Sequence, residues 1–209
     1  MYSAVASLVG LSSEDYVFAG KCPLFCMRSR GAFREVAKLL DGYDASDALG
    51  YTSTESNGHV HVVLYRYDGS AVGMNSFAGT LVHEGTHAFL HRYRSTRSLP
   101  DWIDEGLADF VAEAVLQDRC TYGEAAEAVR REVVRGGYDI EQVFEKTDAR
   151  HYAVAHSLVS FLIRLDEGAF IGLIDDIKSG AATVDALYRR YRLSPKTLDT
   201  AWRRARGGR

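Results

Sequence analysis

"TLVHEGTHAFLHRY", residues 80–93, sets His83, His87 and His91 four positions apart and places Glu84 directly after the first. Three of the chain's 7 histidines are spent here, so the segment asks for a chemical reason. As a helix, it carries residues i and i+4 on one face. His83 and His87 can then reach one ion, and Glu84 stands close enough to act on a metal-bound water without being a ligand. Zinc suits a site built from imidazoles and a carboxylate. It lowers the pKa of its water to ~7 and polarises a carbonyl.

Two nitrogens do not complete a catalytic zinc site, so a third ligand is needed. His91 lies a further turn along the same helix. The rise of ~6 Å per four residues carries it past an ion already held by His83 and His87. A helix-surface or supporting role is expected for it. Downstream, "LPDWIDEGLADFVAE" (99–113) opens a second helix at Pro100 and Asp101. Glu105 lies far enough along for a turn and a helix packing back on the first. Asp109, one turn later, faces the same way and can accept the outer N–H of a zinc histidine. Trp102, Ile103, Leu107, Phe110, Val111 and Val115 form the core side of that helix.

Working outward, the chain changes character near residue 76. Before it, "DYVFAG" (15–20) and "PLFCMRS" (23–29) read as strands. "GAFREVAKLLDG" (31–42) has a helical stripe at Phe33, Val36, Ala37 and Leu40, closed by Gly42. "NGHVHVVLYRYDG" (57–69) alternates, with His59, His61, Val63 and Tyr65 on one face and Val60, Val62 and Leu64 on the other. Asn57-Gly58 and Asp68-Gly69 bracket it as turns. This strand is expected to form the upper rim of the cleft, where an extended substrate would pair with it. His59 and His61 are expected at the surface or in packing. After residue 76 helices follow at 77–93, 101–116, 122–135, 149–165, 168–178, 184–191 and 195–206. The expected class is α+β: a small N-terminal mixed-sheet lobe with a helix (1–76), then a mostly helical C-terminal lobe (77–209), as one catalytic domain with the zinc site between the lobes.

Composition narrows the function. A net charge of −3 over 209 residues supplies no basic field for nucleic acid and no polybasic segment for a membrane surface. The basic end "WRRARGGR" (202–209) reads as a solvated terminus. No run reaches the ~18 apolar residues of a membrane helix. The N-terminus lacks the basic start of a signal peptide, which favours the cytoplasm. Cys22 and Cys26, on an extended segment, stand ~13 Å apart, too far for a disulfide. With Cys120 they read as buried small side chains.

"HEGTH" (83–87) followed by "WIDEGLADF" (102–110) resembles the gluzincin branch of zinc metallopeptidases, the clan of thermolysin and aminopeptidase N, and is most similar to small bacterial peptidase MA-like domains. The resemblance implies a zincin-like fold with His83, His87 and Glu105 as zinc ligands and Glu84 as general base. It makes Asp109 the partner of a zinc histidine, most readily His83. "ARHYAVAHSLVSFLIRL" (149–165) is similar to the later clan helix whose tyrosine points at the developing oxyanion. That makes Tyr152 the first choice for a transition-state donor and His156, one turn on, the second. "LSPKTLDTAWRR" (193–204) looks like the closing helix of such domains.

There are departures. "GMN" (73–75) lacks the glutamate that holds a free amino terminus in the aminopeptidases, so exopeptidase specificity is not carried over. Phe89 and Tyr93 stand where the metzincin pattern needs glycine and histidine. The expected function is hydrolysis of a peptide or protein substrate by a zinc-bound water, with Glu84 as base. The alternative is a zinc-stabilised binding or scaffold domain with little turnover.

Overall fold

The computed structural model describes residues 2–12, 15–18, 20–67, 76–116, 131, 140–145 and 149–206. The chain forms two compact units. One comprises Met1–Ser7, Leu11–Thr96 and Val111–Thr121, and the other Leu8–Gly10, Arg97–Phe110 and Tyr122–Arg209.

The first unit holds α1 (Tyr2–Leu8, of which Leu8 belongs to the other unit), β1 (Leu24–Met27), α2 (Arg30–Asp41), β2 (Gly50–Thr54), β3 (Val60–Tyr65) and α3 (Phe77–Arg92). The strands form one mixed sheet in the order β1-β3-β2. β1 runs parallel to β3, from Leu24 opposite Val62 to Met27 opposite Tyr65. β2 runs antiparallel to it, from Gly50 opposite Leu64 to Thr54 opposite Val60. The parallel pair requires a crossover, and α2 lies within it. Ser29 caps the start of α2 by accepting from the Ala32 N–H, and Gly42 ends it in the left-handed region at φ 65°. Gly58, at φ 85°, makes the turn between β2 and β3.

The alternation expected in β3 sorts its side chains onto two helices. Val60, Val62 and Leu64 pack with Ala88, Phe77 and Leu81 of α3. Val63 and Tyr65 pack with Phe33 and Ala37 of α2 and with Tyr51. On the α2 side Tyr51 Oη (2.5 Å), Ser53 Oγ (2.7 Å) and His61 Nε2 (3.0 Å) converge on the Asp41 carboxylate. Burial pushes that carboxyl up, but the three hydrogen bonds together outweigh it and hold it below the usual carboxylate range. His61 is thus a buried packing residue and His59 an exposed one.

Three sequence expectations change here. The described residues of 15–20 form no strand. β2, "GYTST", was not recognised as a strand. And β3 is the central strand with both edges paired, so it cannot accept an extended substrate as a further strand. The sheet-containing unit also extends past residue 76 to include α3, because α3 covers one face of that sheet.

In the second unit lie most of α4 (Asp101–Leu116), then α5 (Ile140–Glu145), α6 (Ala149–Leu165), α7 (Glu167–Lys178), α8 (Thr183–Tyr191) and α9 (Pro195–Ala205). Trp102, Leu107, Leu158, Leu162, Phe170 and Leu187 are buried in it. At Gly106 the helices meet closely: a Cβ there would fall 2.6 Å from the backbone carbonyl of Ala155 in α6. Asp166 caps α7, and Ser194 with Thr197 forms a capping box before α9. Trp202 is fully buried and donates through Nε1 to Ser157 Oγ at 3.1 Å, so α9 is a packed element up to that residue rather than a solvated end. The helix expected at 122–135, the Asp68-Gly69 turn, "GMN" at 73–75 and Cys120 lie outside the described residues, apart from position 131. Cys22 and Cys26 are free thiols, the first half-buried and the second exposed, so Cys26 is not the buried side chain expected. Among the described residues no helix is long and apolar enough to cross a membrane.

Candidate metal centre

α3 begins at a Ser76 cap, whose hydroxyl accepts from the Gly79 N–H at 3.0 Å. Nearly every side of its middle is buried, from Gly79 through Leu90, which is why it shows no simple apolar stripe. His83 and His87 are half-buried on it. Their Nε2 atoms stand 3.0 Å apart and their rings meet edge to face, with centroids at 4.6 Å. Glu105, also half-buried, completes a group in which one ligand atom from each residue lies within 4.8 Å of the others.

This donor set fits a zinc ion. With Zn–N bonds of about 2.0–2.1 Å, two nitrogens at a tetrahedral angle stand ~3.4 Å apart, so the rings need part by only a few tenths of an ångström. Two imidazole nitrogens and a carboxylate are what zinc takes in sites that keep one position open.

The Glu84 carboxylate meets β2. Thr52 Oγ1 lies 2.8 Å from its carboxylate Oε2 and 2.8 Å from its own backbone oxygen. His91 is directed elsewhere, with Nε2 3.0 Å from the Glu55 carbonyl oxygen. Arg92, beside it, donates to the Gly58 carbonyl. The last turn of α3 therefore grips the β2–β3 hairpin, and His91 stands outside the converging group.

Asp109 is buried on α4 and is likewise outside that group. On α6, Tyr152 is 37 % exposed and His156 3 %. The exposed ring is the one of the two open to a ligand from solvent, whereas the His156 ring packs against Phe110, centroids 6.4 Å apart. His151, buried beside Tyr152, was not singled out in the sequence. Neither was Thr52, because nothing marked its segment as a strand. Compared with known proteins, the chain matches no family model and no curated protein.

Proposed function

We propose that the chain is a zinc-dependent peptidase of the gluzincin kind. The convergence of His83, His87 and Glu105 to within 4.8 Å carries this reading. These three residues would hold the ion, which when bound supplies a Lewis acid and an acidified water. Glu84, adjacent to a ligand but bonded to Thr52 instead, is the general base: it takes a proton from the attacking water and returns it to the leaving amine. Thr52 has one hydroxyl hydrogen, which it shares between two acceptors of Glu84, the backbone oxygen and Oε2. Asp109 would orient a ligand histidine, and Tyr152 would donate to the oxyanion, with His156 second.

An extended substrate has to pair at an outer edge of the sheet. β2 is the edge strand that touches Glu84 through Thr52, so β2 takes the rim role in place of β3.

Zinc content and cleavage of a mixed peptide library test this reading together. Wild type is expected to carry close to one zinc per chain and to cut peptides. Glu84→Gln, which keeps size and polarity, should retain zinc and lose at least ~100-fold in hydrolysis. Zinc-loaded wild type that cuts nothing would leave the binding-domain alternative standing.

A further inference from the structure

Thr52 sits in the middle of β2, opposite Val62 of β3. Side chains alternate along a strand. Tyr51 and Ser53 accordingly reach Asp41 on one face, while Gly50 and Thr52 face α3 on the other. The strand approaches that helix very closely. A Cβ at Gly50 would fall 2.8 Å from Thr80 Cγ2, 3.2 Å from Leu64 Cβ and 3.3 Å from Glu84 Cγ. Thr80 and Glu84 are one helical turn apart, so the bare glycine lets β2 lie directly along their side of α3.

That approach has a consequence for Glu84. The single Thr52 hydroxyl meets both ends of the same residue, the backbone oxygen and Oε2, each at 2.8 Å. A glutamate side chain has three rotatable bonds and loses its aim when only its Cα is fixed. Here it is tied back through one atom to its own main chain, inside a buried environment. We infer that Thr52 is a positioning residue: its hydroxyl holds the Glu84 carboxylate by Oε2 in one rotamer, so that Oε1 is the oxygen that exchanges protons with the reacting water. The holding itself depends only on these contacts; its use in hydrolysis rests on the peptidase reading.

The test compares Thr52→Val and Thr52→Ser with wild type, all zinc-loaded, by crystal structure and by kinetics on the library peptide that wild type cuts fastest. Valine keeps the β-branched shape that suits a strand and removes only the hydroxyl; Thr52→Ala serves in its place if valine disturbs folding. The hydroxyl-free variant is expected to keep its zinc and its melting temperature to within a few degrees. Its Glu84 carboxylate should spread over more than one rotamer, and kcat should fall ~10- to 100-fold with KM within ~2-fold of wild type. Serine should restore both the rotamer and kcat. A Glu84 that keeps its wild-type rotamer without the hydroxyl overturns the inference, as does an unchanged kcat. If wild type cuts no peptide, the peptidase reading falls, and the rotamer comparison still decides whether Thr52 holds Glu84.

Discussion

His91 and Glu105 were the two choices for a third ligand, and a residue's reach separates them. His91 follows the H-E-x-x-H pattern along the same helix, yet its ring meets the Glu55 carbonyl at the hairpin. Glu105, on α4, is grouped with the two histidines as a set that could hold an ion. His83 and His87 could be paired from the sequence because helix geometry sets residues i and i+4 on one face, whereas Glu105 could be named only as a downstream carboxylate that the resemblance makes a ligand. Glu105→Ala should therefore strip most of the zinc from purified protein, while His91→Ala should leave the content near wild type. Equal loss in both, by elemental analysis, would reverse the assignment. Tyr152 and His156 were legible only as a pair on one helix face, since spacing says nothing about which side chain is covered. Exposure now favours the tyrosine. A transition-state donor raises turnover more than binding, because its hydrogen bond strengthens as charge develops. Tyr152→Phe should thus lower kcat ~10- to 1000-fold with little change in KM or melting temperature. His156→Gln, at a packed position, should act on melting temperature first. The opposite pattern would exchange the two roles.

Elements were readable where their apolar period is strong. α4 and α6 begin and end where expected, at Asp101–Leu116 and Ala149–Leu165. β2 was not, because "GYTST" offers no apolar alternation. It is an edge strand with Tyr51 on one face and Gly50 and Thr52 against α3, so packing defines it more than composition does. "DYVFAG" shows the reverse error: its residues favour a strand, yet none of the described ones is in one. Glycine in α4 carries a similar lesson. In a helix interior Gly106 costs ~1 kcal/mol relative to alanine, so on propensity alone Gly106→Ala should stabilise. The 2.6 Å approach of the Ala155 carbonyl predicts the opposite sign. Backbone cannot yield as a side-chain tip can, and overpacking of this kind costs ~1–3 kcal/mol. Gly106→Ala should lower the melting temperature by about 2–10 °C. A rise on thermal denaturation would mean that α4 and α6 do not cross this closely in solution.

At the level of the whole molecule, the α+β class was legible from a single change of period, alternation before residue 76 and helical stripes after it. The division into compact units was not, because α3 has a helical sequence but buries its side chains on the sheet. Sequence character marks what an element is, and only packing decides which unit it joins. A metal held by His83, His87 and Glu105 would give a stability test of the entire chain. An ion that binds the folded state and not the unfolded one stabilises by mass action, by ~2.7 kcal/mol at a hundredfold excess over Kd. For a chain of this length each kcal/mol moves the melting temperature by about 2–4 °C. Saturating zinc should therefore raise the midpoint of chelator-treated protein by about 5–10 °C. Glu84→Gln keeps all three ligands and should show the full rise. Glu105→Ala leaves two imidazoles and should lose most of it, whatever the protein does to peptides. A midpoint that ignores both zinc and chelator would mean that His83, His87 and Glu105 bind no ion in solution, and the hydrolytic reading would lose its foundation.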